Sequence, residues 1–353
     1  MKVAVVGCGA VGSFYGATLA RAGHEVHFLL RSDYERVRRY GVAVQSPKGD
    51  FKVRPKCAQR AEEIGVAELV LVALKTTANE QFGKLLPPLV GPQTAILTLQ
   101  NGLGNEEALA RLFPAEQILG GLCFVCLNRL QPGLIHHLDH GLVVVGEFQG
   151  WPEPRTHDIA GLFRHAGVPC DVTDNLARAH WEKLTWNIPF NGLGVASAAG
   201  FEAVMGGESV ERGAGRGEHG RSDGETKTPY RHGGRGRAFS IASPLNRCLT
   251  TDKLLADARW AGLARELMLE VITAARALGH HLPESLADRQ IERTRTMGAY
   301  RASTLIDFER GQPLEIETLF LEPLRQANGA GVAMPRLSAL CRVLQQLDPG
   351  SSA

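Results

Sequence analysis

A chain of 353 residues, 44% hydrophobic and 22% charged, has the composition of an ordinary globular protein and is long enough for two domains. Its 39 Lys and Arg residues nearly balance its 37 Asp and Glu residues, which argues against a nucleic-acid partner or an anionic membrane surface. No apolar run approaches the roughly 20 residues needed to span a bilayer.

The first part of the chain alternates short apolar runs with helical patterns. Residues 3–6 predict a buried strand, residues 10–22 a helix and residues 25–30 a second strand. Further strand-like runs occupy residues 69–74, 95–99, 118–127 and 142–145. Strands separated by helical segments predict βαβ units and a parallel sheet.

From about residue 175 the pattern becomes mainly helical. The predicted helices span residues 177–193, with a kink expected at Pro189, and residues 254–278, 314–328 and 336–347. We therefore predict an α/β domain over residues 1–174, followed by a mainly α-helical domain over residues 175–348.

Residues 206–237 fit neither domain, because they are rich in Gly, Arg, Glu and Ser and lack apolar periodicity. Such a composition buries too little surface to offset the entropy of ordering, so we expect disorder or a surface insertion. A basic Gly/Arg segment that binds RNA or an acidic partner is the alternative, but acidic residues are interspersed through it.

The N-terminus and the cysteines indicate a reducing compartment. The chain begins with a strand-like segment rather than a signal peptide, and its seven cysteines fit reduced thiols better than a disulfide framework. We therefore expect a cytoplasmic protein. Cys123 and Cys126 form a C-x-x-C between apolar neighbours and without a second pair at metal spacing, so we expect a buried strand there and no metal.

A G-x-G-x-x-G pattern follows the first predicted strand and opens the first predicted helix. Gly7 permits a tight turn, Gly9 lets the backbone approach a pyrophosphate, and Gly12 allows close helix–strand packing. The helix N-terminus offers unpaired N–H groups to the phosphates. A purely structural glycine turn is the alternative. We expect a Rossmann-type domain that binds a dinucleotide through Gly7, Cys8, Gly9, Ala10, Val11 and Gly12.

The end of the second predicted strand bears on the choice of cofactor. Arg31 is placed to pair with a 2′-phosphate, and Ser32 to donate a hydrogen bond to it, whereas an acidic residue there would bind the ribose of NAD. Asp33 lies just beyond and is a competing signal. A solvated Arg31 is the alternative, and we predict NADP(H).

Three polar residues recur at intervals of four near the start of the helical domain. Lys183, Asn187 and Asn191 share one helix face, and apolar residues occupy the opposite positions, namely Leu184, Trp186, Ile188 and Phe190. A partly desolvated Lys has a lowered pKa and is a suitable proton donor. A solvated helix face explains the spacing equally well.

Taken in order, these segments resemble the ketopantoate reductase (2-dehydropantoate 2-reductase) family. The resemblance covers nearly the whole chain except roughly residues 201–248, which are predicted as an insertion. It rests on residues 7–12, Leu30-Arg31, Leu74-Lys75-Thr76, Gln100-Asn101-Gly102, the Lys183/Asn187/Asn191 helix, Ser303 with Asp307, and Glu315.

The resemblance implies NADPH-dependent reduction of 2-dehydropantoate to pantoate, a step of pantothenate and coenzyme A synthesis. Lys183 resembles the family's general acid, which protonates the carbonyl oxygen and stabilises its developing charge. Glu315 resembles the carboxylate that orients the substrate hydroxyl and the Lys. An exposed helical charge is the alternative for Glu315.

The resemblance also implies binding roles. Ser303 would bind the substrate carboxylate, Asn187 and Asn191 would hold polar groups of the substrate, Asn101 would lie between cofactor and substrate, and Lys75 would lie near the cofactor or the active-site mouth. A helix-capping hydroxyl is the alternative for Ser303. The expected partner is a small 2-oxo acid, with no nucleic acid or membrane, and a homodimer is left open.

Two departures from the family pattern leave the substrate open. Ala302-Ser303-Thr304 stands where the family commonly has Ser-Ser-Met, and Glu317-Thr318 stands where it usually has Asn-Gly. A reductase of another 2-oxo acid or an imine is the nearest alternative. A regulatory protein that binds NADP without turnover is the alternative from another class, although the polar set around Lys183 argues against it.

Overall fold

The computed structural model describes residues 1–205 and 248–352. Its strands are β1 (Lys2–Val6), β2 (Glu25–Leu29), β3 (Val42–Gln45), β4 (Phe51–Val53), β5 (Lys56–Ala58), β6 (Leu69–Val72), β7 (Ala95–Thr98), β8 (Ile118–Gln131), β9 (Leu134–Glu147) and β10 (Cys170–Val172). Its α-helices in the first half are α1 (Ala10–Arg21), α2 (Tyr34–Tyr40), α3 (Phe82–Leu85), α4 (Asn105–Ala110) and α5 (Pro154–His165). In the second half they are α6 (Leu176–Ala196), α7 (Phe201–Val204), α8 (Thr251–Ala256), α9 (Ala258–Ala277), α10 (Ser285–Arg295), α11 (Ser303–Glu309), α12 (Glu322–Gly329) and α13 (Pro335–Leu347).

A single sheet forms the centre of the first half of the chain. Six parallel strands run in the order β5-β2-β1-β6-β7-β8, which is the doubly wound order of a Rossmann domain. Every residue of β6 and β7 is buried, as expected for strands covered on both faces. The predicted fold class, a Rossmann-type parallel sheet followed by helices, is therefore confirmed.

The sheet extends beyond the six parallel strands. The long strand β9 returns antiparallel to β8, and both β3 and β10 pair with β9 in parallel. β4 closes this edge antiparallel to β3. This extension carries the sheet towards the helical half of the chain.

Helix α6 is the central element of the helical half. It packs against α9, α11 and α13 and runs through Pro189 without a break. Leu184, Ile188 and Phe190 are buried in the helical core. The face that α6 turns away from this core is available to line a site.

The helix predicted over residues 254–278 is two helices. The Asp257 side chain accepts a hydrogen bond from the backbone N of Arg259, so it caps α9 and separates it from α8. The helix predicted over residues 314–328 is also different, because a π-helical stretch, Glu317–Leu321, precedes α12. Pro323 in the first turn of α12 has no N–H to donate, which disfavours a continuous α-helix there.

The predicted insertion at residues 201–248 is in part packed structure. α7 lies within it, Val204 is buried, and the Phe201 ring packs edge-on against Trp260. Most of the segment, with the expected disorder at residues 206–237, lies outside the described residues. No helix within residues 1–205 or 248–352 is long and apolar enough to cross a membrane.

Candidate active site

A cavity of about 1770 Å³ opens where β1 and β6 end and extends to α6 and α11. It lies at the switch point of the parallel sheet, where ligands bind in folds of this kind. Its volume exceeds the 300–1,000 Å³ typical of small-ligand pockets, and it can hold a dinucleotide together with a small acid. Both halves of the chain contribute to its wall.

The glycine turn between β1 and α1 forms one end of this cavity. Gly7 has a φ of +101°, and a Cβ on it would lie 2.2 Å from the backbone N of Leu74, so only glycine fits. Around Gly9, by contrast, the space that a Cβ would enter is open to 4 Å. No side chain caps the start of α1, so its first N–H groups face the cavity without a competing acceptor. This cradle fits the pyrophosphate of a dinucleotide.

The residues after β2 line the same end of the cavity. Arg31 and Ser32 are exposed there, whereas Asp33 is buried and forms an ion pair with Arg129 of β8. Ser32 Oγ donates to Asp33 Oδ1 at 3.1 Å. The Asp33 carboxylate, which competes with Arg31 as a signal in the sequence, is thus engaged by protein groups.

Lys183 lies deep in the cavity wall. Its Nζ donates to Asn101 Oδ1 at 2.7 Å and lies 5.5 Å from the centre of the Phe124 ring. Burial lowers the pKa of Lys183 below its usual value, and nearby Cys123 and Glu315 only partly oppose this effect. A lysine in this state gives up its proton more readily than an exposed one.

Asn187 and Asn191 line the cavity beside Lys183, as their four-residue spacing predicts. The Asn191 Oδ1 accepts from Ser303 Oγ at 3.2 Å and from the backbone N of Thr304 at 3.2 Å, which caps α11. Asn187 is buried, and its side chain has no hydrogen-bond partner in residues 1–205 or 248–352. A buried amide without a partner is suited to binding a ligand.

Trp186 does not lie opposite Lys183. It also borders the cavity, because it follows Lys183 by three residues, and a three-residue step keeps a helical side chain on nearly the same face. Its Nε1 donates to Thr294 Oγ1 at 2.9 Å, which ties α6 to α10.

Glu315 binds groups other than Lys183. Its Oε2 accepts from Lys75 Nζ at 3.0 Å, and its Oε1 accepts from the backbone N of Thr76 at 2.8 Å. Lys75 also donates to Asp307 Oδ2 at 2.7 Å. The carboxylate expected to orient Lys183 therefore joins the loop after β6 to the helical half of the chain.

Two carboxylates, Glu315 and Asp307, contact the Lys75 ammonium and act on its pKa. Burial would lower the pKa of Lys75, but Glu315 and Asp307 outweigh burial and raise it. Burial raises the pKa of Asp307, while Lys75 lowers it in part. Asp307 and Thr76 were not predicted as site residues, although Asp307 follows Ser303 by one helical turn on α11.

Cys123 and Cys126 both lie in β8, as predicted, and border the cavity. Burial raises the pKa of Cys123 to about 11 and also raises that of Cys126, so neither thiol is ionised near neutral pH. The described part of the chain has no group of three or more His, Cys, Asp or Glu side chains that could hold a metal ion.

Thr304 and Thr318, two residues at the departures from the family pattern, both make hydrogen bonds near the cavity. The Thr304 side chain donates to Asn191 Oδ1 at 3.1 Å in the cap of α11. Thr318 joins the two halves, since its carbonyl accepts from the backbone N of Leu103 at 2.9 Å and its hydroxyl donates to Thr76 Oγ1 at 3.0 Å. Thr318 thus acts at the junction of the two halves, and Thr304 supports a residue of the cavity wall.

Comparison with known proteins agrees with this geometry. Residues 3–150 match the family model described as ketopantoate reductase PanE/ApbA, and residues 237–348 match the model of its C-terminal region. A 2-dehydropantoate 2-reductase of Nostoc sp. is 35% identical over 98% of this chain and 95% of its own length.

Solved structures give the same result. A 2-dehydropantoate 2-reductase from Geobacter metallireducens is 41% identical, with a TM-score of 0.81 over 98% of this chain and 99% of its own. One from Methylococcus capsulatus is 29% identical, with a TM-score of 0.78 over 100% of this chain and 98% of its own. The chain belongs to the ketopantoate reductase family of oxidoreductases.

Proposed function

We propose that this protein reduces 2-dehydropantoate to pantoate with NADPH, the reaction that supplies pantothenate and coenzyme A synthesis. The observation that carries the proposal is the cavity, which is lined by the glycine turn at one end and by Lys183, Asn101, Asn187 and Asn191 further in. The two relatives at 35% and 41% identity, both 2-dehydropantoate 2-reductases, support it along nearly the whole chain.

Lys183 is the general acid of the proposed reaction. The nicotinamide cofactor, when bound, supplies a hydride for C2 of the 2-oxo acid. Lys183 Nζ gives its proton to the carbonyl oxygen as that oxygen becomes an alkoxide, and its positive charge stabilises the transition state. The hydrogen bond to Asn101 holds the ammonium in place, and its lowered pKa favours the transfer.

The remaining polar groups hold the substrate. Asn187 offers a buried amide free of protein partners. Ser303 Oγ, at the start of α11, donates its one proton to Asn191 Oδ1, and substrate binding would turn that proton to the substrate carboxylate. Glu315 and Asp307 both bind Lys75 at the wall, which fixes the loop after β6 beside the site.

The region after β2 favours NADP(H) over NAD(H). Arg31 is exposed at the cavity and is free to meet a 2′-phosphate, for which a guanidinium is a strong partner. Asp33, which would otherwise repel that phosphate and bind a ribose hydroxyl, is neutralised by Arg129. The free Arg31 and the neutralised Asp33 both favour a cofactor that carries a 2′-phosphate.

Cofactor oxidation by the purified protein tests the proposal. We expect turnover with 2-dehydropantoate, faster with NADPH than with NADH and faster than with a panel of other 2-oxo acids. Turnover with a different 2-oxo acid instead would support the proposed hydride transfer but assign a different substrate. Tight NADPH binding without turnover on any 2-oxo acid would reject the proposal in favour of a regulatory NADP-binding protein.

A further inference from the structure

A buried His–Glu pair that takes no part in the proposed reaction connects the two halves of the chain near Lys183. His180 Nε2 lies 3.1 Å from Glu106 Oε1. His180 is only 7% exposed and Glu106 only 4%. Burying both side chains is costly unless they satisfy each other, so each depends on the other for its partner.

The pair lies next to the bond between Lys183 and Asn101, since both contacts join α6 to the segment that follows β7. His180 precedes Lys183 by three residues on α6, so the two side chains project from neighbouring positions on the helix. Glu106 lies in the first turn of α4, directly after the loop that carries Asn101. A second contact fastens that loop, because Asn105 Nδ2 donates to the backbone O of Asn101 at 3.0 Å.

Strand β8 leaves room for the pair. A Cβ on Gly120 would lie 2.5 Å from Glu106 Oε1 and 2.6 Å from a methyl group of Leu176. Any side chain at this position would therefore displace the carboxylate. The Glu106 carboxylate therefore lies between Gly120 of β8 and His180 of α6.

We propose that the His180–Glu106 pair positions Lys183, because it holds α6 against α4 so that Lys183 Nζ meets Asn101. This proposal rests on the proposed role of Lys183 as the general acid. Without the pair, α6 keeps its contacts with the helical core but loses a polar contact with α4 that lies next to the bond between Lys183 and Asn101. A displacement of about 1 Å at a reacting group is enough to slow a reaction by about 100-fold.

The test compares Glu106→Ala with two matched variants. Glu106→Gln keeps an oxygen that accepts from His180, and Glu107→Ala removes the neighbouring carboxylate, which is exposed. We expect Glu106→Ala to lower kcat by about 10- to 100-fold with little change in NADPH affinity. Glu106→Gln should restore most of this loss, and Glu107→Ala should behave as the unmodified protein. Normal kcat in a folded Glu106→Ala variant, or an equal loss in Glu106→Gln, would overturn the proposal.

A double variant tests the proposal even if Glu106→Ala fails to fold. Glu106→Met with His180→Leu removes the polar link without leaving a buried group unpaired, so it should fold even where Glu106→Ala does not. Its kcat should be low, and a normal kcat would also overturn the proposal.

The NMR signal of ¹³C-dimethylated Lys183, assigned through its absence in Lys183→Ala, reports the position of the ammonium without turnover. We expect its pKa to lie below the usual lysine value and to change in Glu106→Ala but not in Glu107→Ala. If the protein reduces no 2-oxo acid but this pKa still changes, the proposed function fails and the positioning role stands. An unchanged pKa would overturn the positioning role whatever the turnover.

Discussion

Lys183 Nζ and Asn101 Oδ1 lie 2.7 Å apart, and this hydrogen bond joins helix α6 to the loop that follows β7. The two residues come from different halves of the chain, 82 positions apart in sequence. Their contact places a cation of lowered pKa in the wall of a cavity that also contains the glycine turn. The predictions below follow from this arrangement and from the contacts that support it.

The reaction should slow at high pH. A general acid must be protonated, so the rate falls as pH rises through the pKa of Lys183. Burial lowers that pKa from its usual 10.5, so the fall should begin below pH 10.5. The measurement is kcat/KM for the 2-oxo acid against pH at saturating NADPH. A profile that stays level up to pH 10.5 would contradict the role of Lys183.

Gly9→Ala should weaken cofactor binding without harming the fold. Gly9 has a φ of −74°, which alanine adopts readily, and the added methyl group would enter the open space where the pyrophosphate is expected. We expect NADPH affinity to fall about tenfold or more, or at least about 1.4 kcal/mol. Isothermal titration calorimetry measures the affinity. Unchanged affinity for NADPH would show that the pyrophosphate does not bind at Gly9.

Gly7→Ala is the contrasting variant. Its φ of +101° and the 2.2 Å approach to Leu74 make alanine strained at this position. We expect Gly7→Ala to lower the free energy of unfolding by about 1–3 kcal/mol or more. Thermal unfolding of the two variants side by side should show a lowered Tm for Gly7→Ala only.

Arg31 and Arg129 should both favour NADPH, for different reasons. Arg31→Ala removes the expected partner of the 2′-phosphate and should weaken NADPH binding by about 10- to 100-fold while sparing NADH. Arg129→Ala frees the Asp33 carboxylate, which should repel the phosphate and shift the preference towards NADH. The measurement is the Kd of each cofactor by fluorescence. If Arg129→Ala weakened the binding of NADPH and NADH equally, Arg129 would have no role in choosing between the two cofactors.

Glu315→Ala should destabilise the junction between the two halves. Glu315 is buried and accepts from the backbone N of Thr76, so its loss leaves that N–H without its partner. We expect a loss of about 1–3 kcal/mol in the free energy of unfolding, measured with urea. Glu317→Ala is the matched control, because Glu317 is exposed, and its effect should stay within about 0.5 kcal/mol. Equal free energies of unfolding for the two variants would show that Glu315 does not stabilise the junction.

The sequence predicted the parts of the fold that depend on local pattern. The glycine turn and the strands around it follow from short motifs, and the face of α6 follows from the four-residue spacing of Lys183, Asn187 and Asn191. The division between α8 and α9 was not predicted, because the apolar periodicity continues past Asp257. The two helices are separated by the hydrogen bond with which the Asp257 side chain caps α9.

Contacts between distant residues could not be read from the sequence. Asp33 meets Arg129 across 96 positions, and Lys75 meets Glu315 across 240. Such pairs depend on where β8 lies in the sheet and on how the segment after α11 meets the loop after β6, and no local spacing encodes that arrangement. For the same reason Glu315 was expected beside Lys183, whereas its hydrogen bonds go to Lys75 and Thr76.

The most direct test of the central claim is the kcat of Lys183→Ala with 2-dehydropantoate and NADPH, beside Lys253→Ala as a surface control. Removing a general acid costs about 10²- to 10⁴-fold in rate. The residues proposed to bind the cofactor, the glycine turn and Arg31, are unchanged in this variant. We therefore predict a loss of that size in Lys183→Ala, with NADPH affinity retained and normal turnover in Lys253→Ala. Turnover of Lys183→Ala at the rate of the unmodified protein would contradict the account.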